Sequence, residues 1–160
     1  MRIAFLSNPS FLDTSIRVGM QSLAEAFVVR GHEVDYWSAP VHPFDFVSPS
    51  RRRRWLRAWS LGGQSRYFAR DVGVREHFTR ALFPRHQRWW PCVDLQKRLY
   101  SIPARLPNHS YKAVIHDTAF SFLLLPKLQY EHAYLRLNDD PRGFAPHMHP
   151  QLAEAIFDNI

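Results

Sequence analysis

Three short polar clusters combine residue types that can hold a hydroxyl group and take its proton. They are Ser7-Asn8 with Asp13, His116-Asp117-Thr118, and Asn138-Asp139-Asp140. A carboxylate within hydrogen-bond reach of an attacking hydroxyl can act as general base, and amide or imidazole groups can orient it. A loop aspartate taken singly is most often a helix cap or turn residue. Each of these clusters, however, follows a short apolar run that reads as a strand. If the strands are parallel, the clusters share one rim, the edge where open α/β sheets bind ligands.

The other chemically loud stretch is Arg51-Arg52-Arg53-Arg54-Trp55-Leu56-Arg57-Ala58-Trp59. Arginine interleaved with tryptophan suits an anionic membrane interface, where indoles sit at headgroup depth and guanidinium groups meet phosphates. It also suits single-stranded nucleic acid, or a solvated helix whose tryptophans pack inward. Trp89-Trp90, after Arg85 and Arg88, could extend the same surface. The whole chain leans the same way: 21 Lys+Arg against 14 Asp+Glu give a formal charge of +7. An arginine-dominated excess favours phosphate and carboxylate contacts.

Several chemistries lack their motifs. The loop after the first strand has no G-x-G-x-x-G and no G-x-x-x-x-G-K-[ST], which disfavours dehydrogenases and P-loop enzymes. There is no G-x-S-x-G elbow of an α/β-hydrolase. The single cysteine, Cys92, cannot form an internal disulfide. Nine histidines invite a metal reading, most of all His147-Met148-His149. That pair after a proline-rich turn reads as surface, so no metal and no cofactor is expected, and His116 at a strand end is the better ligand-contacting histidine.

The elements that must position these residues follow from periodicity. Residues 2–6 read as a buried strand. Ile16, Met20, Leu23 and Phe27 form one stripe of an amphipathic helix, capped by Thr14 or Ser15 and ended by Gly31. Residues 33–37 read as a second strand, which completes a right-handed βαβ unit and implies a parallel sheet. Residues 39–110, broken by seven prolines, read as an elaborated insertion. Short helices are expected there near 51–60, 74–83 and 93–100, with a short strand near 66–70. Strands at 112–115 and 133–137 follow, with a helix over 119–128 between them and a last helix over 149–158. The fold class is therefore α/β: a Rossmann-like parallel sheet of about four strands with helices on both faces. The start lacks a signal-peptide core, and no run approaches the roughly 18 apolar residues of a membrane span. These features point to the cytoplasm.

With those elements placed, two segments resemble a known family. Ser15-Ile-Arg-Val-Gly-Met-Gln-Ser-Leu-Ala-Glu-Ala-Phe followed by Arg30-Gly31-His32-Glu33-Val34 looks like the first helix and second strand of GT-B glycosyltransferases. Tyr134-Leu-Arg-Leu-Asn-Asp139-Asp140, then His149-Pro150-Gln-Leu-Ala-Glu154, resembles the GumK-type glucuronosyltransferases of bacterial polysaccharide biosynthesis. In that family a "Y-R-x-S-D-[ND]" strand end precedes a helix beginning "H-P"; here Asn138 stands where serine is common. The resemblance covers roughly residues 1–40 and 112–160.

It implies that residues 1–160 form the N-terminal, acceptor-side domain of an inverting glycosyltransferase. A nucleotide-sugar donor would bind a C-terminal domain beyond this chain, and the 160-residue domain alone would be inactive. The acceptor would be a lipid-linked or polysaccharide precursor, the transferred sugar a hexose or glucuronic acid, and the location peripheral on the inner face of the cytoplasmic membrane. The family's catalytic base maps onto Asp139, with Asp140 as the alternative. Asn8, His116 and Asp117 would line the acceptor side. Arg51, Arg52, Arg53, Arg54, Trp55 and Trp59 would face an anionic membrane, with no nucleic-acid partner. Two rivals stand: another nucleotide-sugar enzyme on the same architecture, or a non-catalytic membrane- or nucleic-acid-binding module using the Arg/Trp stretch.

Overall fold

The computed structural model describes residues 1–12, 19–60, 64–69, 72–80, 108–117 and 120–136. Their elements are β1 (Arg2–Leu6), α1 (Gly19–Val29), β2 (Glu33–Val41), a 3₁₀ segment (Pro43–Phe46) and α2 (Pro49–Ser60). After these come β3 (Gln64–Ala69), β4 (Val72–Arg80), β5 (Tyr111–His116), a second 3₁₀ segment (Phe120–Lys127) and β6 (Tyr130–Leu135). The six strands form one sheet in the order β3-β4-β2-β1-β5-β6. All neighbours are parallel except β3 and β4, which pair antiparallel at one edge. This is a Rossmann-like α/β sheet.

β1 is central, and Ile3, Ala4, Phe5 and Leu6 are all buried, as a parallel strand covered on both faces requires. Phe5 sits in register with Tyr36 and Ile115, and these side chains share the face that α1 covers. On α1 the buried apolar positions are Met20, Ala24 and Val28, a strict i, i+4 row. The expected stripe is thus rotated slightly. Leu23 and Phe27 flank the row, and Phe27 meets Phe5 edge-on at 5.7 Å. Gly31 then turns the chain into β2 at φ 83°, a left-handed conformation that side chains resist.

The insertion departs from expectation. Residues 74–83 are not a helix: β4 runs through Val72–Arg80 and lies parallel to β2. Val74 and Phe78 alternate with Arg75 and His77 across the sheet, a period of two that its charged residues disguise. Strand β3 lies close to where a strand was expected, and α2 matches the expected 51–60 helix. Pro40 inside β2 coincides with a register shift between Ser38 and Val41, where its missing donor is tolerated. The expected helix near 119–128 is 3₁₀ over Phe120–Lys127, because Pro126 lacks the N–H that an α-helix needs. The strand expected at 133–137 begins earlier, at Tyr130. The helices expected near 93–100 and 149–158, and the caps at Thr14 or Ser15, lie outside the described residues. No described helix is long and apolar enough to cross a membrane.

The face away from α1 carries a buried carboxylate. Asp35, 2% exposed, accepts from Tyr111 Oη at 3.1 Å and meets His77 Nε2 at 2.7 Å. Arg75 Nη1 approaches at 3.5 Å and His109 Nε2 at 3.4 Å. Burial alone would push the Asp35 pKa up, but His77, with Arg75 and Tyr111, outweighs it and holds the carboxyl below its ordinary value. Burial first, then the Asp35 charge, pushes the Tyr111 phenol pKa up. One carboxylate thus ties β2 to β4 and β5.

A carboxyl whose pKa is depressed on folding stabilises the native state above its unfolded pKa, and that stability is lost as pH falls through the folded pKa. Chemical denaturation followed from pH 7 down to 2 is expected to show a decline beginning near the usual aspartate range, about pH 4. Asp35→Ala is expected to lower stability at pH 7 by about 3–5 kcal/mol, the scale for removing one partner of a buried pair. It should also flatten the acid decline.

Candidate functional site

The sheet reverses its direction of growth between β1 and β5. From β1 the chain crosses over α1 to β2 on one side; from β5 it crosses the 3₁₀ segment to β6 on the other. The loops leaving β1 and β5 therefore diverge, and the crevice between them is the position where doubly wound sheets take their ligands. The first two sequence clusters stand there.

Backbone hydrogen bonds carry the ladder past the strand ends. Ser7 N–H donates to the Trp37 carbonyl (3.0 Å), Asp117 N–H to Leu6 (3.2 Å) and Arg136 N–H to His116 (2.7 Å). Ala39 N–H donates to the Asn8 carbonyl at 3.4 Å. Side chains close the gap: Ser7 Oγ donates to Asp117 Oδ2 across the diverging loops. The rest of the first loop folds down on Tyr36, whose hydroxyl donates to the Pro9 carbonyl at 3.0 Å while Phe11 packs edge-on against its ring. Burial raises the Tyr36 pKa, so the phenol stays a neutral donor.

Asn8, His116 and Asp117 thus come together on adjoining strand ends. Asp117 is 9% exposed and His116 4%. Burial lowers the His116 pKa, opposed in part by the backbone and charge of Asp117, so the ring is neutral near pH 7. Its Nδ1 and the Oδ1 of Asn8 are buried without a hydrogen-bond partner among the described residues. Buried polar atoms are nearly always paired in native proteins, so orphans gathered at a ligand-binding edge mark groups kept for a ligand or for water. Asp13, Thr118, Asp139 and Asp140 lie outside the described residues, as do His147 and His149. Among the described residues no cluster of His, Cys, Asp or Glu could hold a metal ion.

No family model, curated protein or solved structure matches this chain.

The Arg/Trp stretch divides between surface and interior. On α2, Arg51, Arg52, Arg53 and Arg57 are exposed, and Trp59 is 50% exposed. Arg54 corrects the expected membrane face. It is 4% exposed, and its guanidinium donates to the Ala39 carbonyl of β2. Four residues on, Ala58 is also buried, so this side of the helix faces the sheet. Trp55 is only half turned outward and packs on Val41, Ala58 and Phe78. From it an aromatic row runs along the surface, with Phe46 at 4.9 Å on one side and Trp59 at 5.5 Å on the other. Arg52 lies over the Phe46 ring at 4.5 Å and Arg80 over Trp59 at 4.2 Å. Phe44 and Val47, before the helix, are more exposed still.

Sequence reasoning passed over two things here. Ser7 was visible as a polar residue, but its bond to Asp117 depends on β1 and β5 being neighbours. Arg136, at the end of β6, reaches α1; an isolated glycine in that amphipathic helix, Gly19, was the available signal. Ser7→Ala is expected to cost about 1–3 kcal/mol, because Asp117 loses a donor while buried. Urea denaturation should register this, with little change in the slope of the transition.

Proposed function

We propose that this chain is the acceptor-side domain of an inverting glycosyltransferase that works at an anionic membrane surface. The observation that carries this reading is the crevice between β1 and β5, bordered by Ser7, Asn8, His116 and Asp117. The groups in it suit hydroxyls: an amide oxygen, a neutral imidazole and a buried carboxylate. The first loop, Ser7-Asn8-Pro9-Ser10, has no glycine cradle for a nucleotide, which agrees with a donor held by another domain.

In the reaction the acceptor hydroxyl oxygen attacks the anomeric carbon of the donor. Its proton passes to a carboxylate, which we assign to Asp139 or, failing that, Asp140. The bond from the anomeric carbon to the nucleotide diphosphate breaks, and the diphosphate leaves with the electron pair. Asn8, His116 and Asp117 would orient the acceptor. In the protein carrying its donor-binding domain, Asp139→Asn is expected to cut transfer from a labelled nucleotide sugar into membrane extract by about 10²–10⁴-fold. Undiminished transfer in both Asp139→Asn and Asp140→Asn would overturn the assignment.

The aromatic row of Phe46, Trp55 and Trp59, with its arginines, supports docking of a lipid-linked acceptor at the inner membrane face. Each basic residue near an anionic bilayer contributes about 1 kcal/mol. Replacing Arg51, Arg52 and Arg53 with Gln should therefore lower partitioning onto phosphatidylserine-containing vesicles by about two orders of magnitude, and reversing them to Glu by more. The same patch favours the second reading, a non-catalytic module that binds through this surface alone. That reading expects the arginine changes to abolish function and both aspartate changes to leave it intact.

A further inference from the structure

The rim of the crevice carries a guanidinium, that of Arg136, with a buried nitrogen that has no hydrogen-bond partner among the described residues. Arg136 follows β6, its backbone N–H donating to His116. Its side chain shares the α1 face with Tyr134 and Ile115, by alternation along the strand. From there it reaches Gly19, the first described residue of α1. A Cβ on Gly19 would lie 2.5 Å from Nη2, 2.6 Å from Nη1 and 3.0 Å from the guanidinium carbon. Only glycine lets the guanidinium rest against the helix backbone in this way. Arg136 Nη1 is buried and has no hydrogen-bond partner among the described residues.

An arginine in this position ordinarily meets a carboxylate, because a guanidinium has five donors and no acceptor. The carboxylate described in the crevice, Asp117, accepts from Ser7. Among the described residues, Arg54 donates to the Ala39 carbonyl and Arg75 approaches Asp35. Arg136 continues the strand that pairs with β5, and its orphaned Nη1 lies on the α1 face of this rim. A guanidinium with an unpartnered buried Nη1 at a ligand-binding edge matches an oxyanion, and its planar fork suits phosphate.

We infer that Arg136, held against Gly19, is the anion-binding residue of this crevice and receives a diphosphate group. The inference rests on the crevice being a ligand site, as proposed above, and does not depend on sugar transfer. A diphosphate could arrive on a lipid-linked acceptor or on a nucleotide, and both present the same oxygens to the guanidinium.

The test is titration of the chain with inorganic pyrophosphate by calorimetry, then with geranyl diphosphate and with uridine diphosphate. Arg136→Gln is expected to weaken pyrophosphate binding at least tenfold. Gly19→Ala, which favours the helix and keeps every charge, is expected to do the same by displacing the guanidinium. Arg30→Gln, exposed just past the far end of α1, should leave affinity unchanged, which separates this site from general attraction to a basic protein. Geranyl diphosphate binding more tightly than uridine diphosphate identifies the lipid-linked source, and the reverse order the nucleotide. Either order supports the site if Arg136→Gln abolishes it. Equal affinity in wild type and Arg136→Gln, or an equal loss in Arg30→Gln, would overturn it. Binding through Arg136 in a protein that transfers no sugar would sink the proposed activity and leave this site standing.

Discussion

The reversal of strand order at β1 and β5 is the constraint on which the rim depends. Neighbouring parallel strands whose crossovers leave in opposite directions cannot have their loops packed together, so a gap opens at their carboxyl ends. The Ser7–Asp117 hydrogen bond spans that gap at its floor and fixes the spacing of the two loops. Asn8, His116 and Arg136 inherit their places from it through the backbone bonds that tie β2, β1, β5 and β6 in succession.

The two ends of the sheet treat polar groups differently. Toward the amino ends of the strands, Asp35 is buried among His77, Tyr111, Arg75 and His109, which together offset the cost of removing a charge from water. At the carboxyl ends, buried atoms of Asn8, His116 and Arg136 have no hydrogen-bond partners among the described residues. The rim thus holds polar atoms that break the usual rule of pairing. Proteins tolerate such breaches mainly where function requires them.

Much of this was legible in the sequence, and the failures have physical causes. β1, α1, β2 and β5 show clean apolar runs or periods, and the strand-end rule then placed Asn8, His116 and Asp117. β4 was obscured because Glu76 and His77 sit in buried positions, so its alternation does not look hydrophobic. Asp35 looked like an ordinary polar strand residue, since its partners come from β4, β5 and the segment before β5. Within Arg51–Arg54 nothing in the residue type separates the inward arginine from the others. Ala58, four residues after Arg54, was the clue, because a small residue at that spacing marks the side packed on the sheet.

Ala39 is where the two surfaces of this protein meet mechanically. Its N–H donates to Asn8 at the crevice, and its carbonyl receives the guanidinium of Arg54 from α2. One peptide neighbourhood thus serves as a hinge pin that does not turn. It fixes the rotation of α2 about its own axis and ties that rotation to the first rim loop. A bilayer gripping the outer arginines would therefore hold the crevice at one height and tilt above the headgroups. On the membrane-docking reading proposed above, reach toward a membrane-borne molecule would be a property of the backbone, set before any ligand arrives.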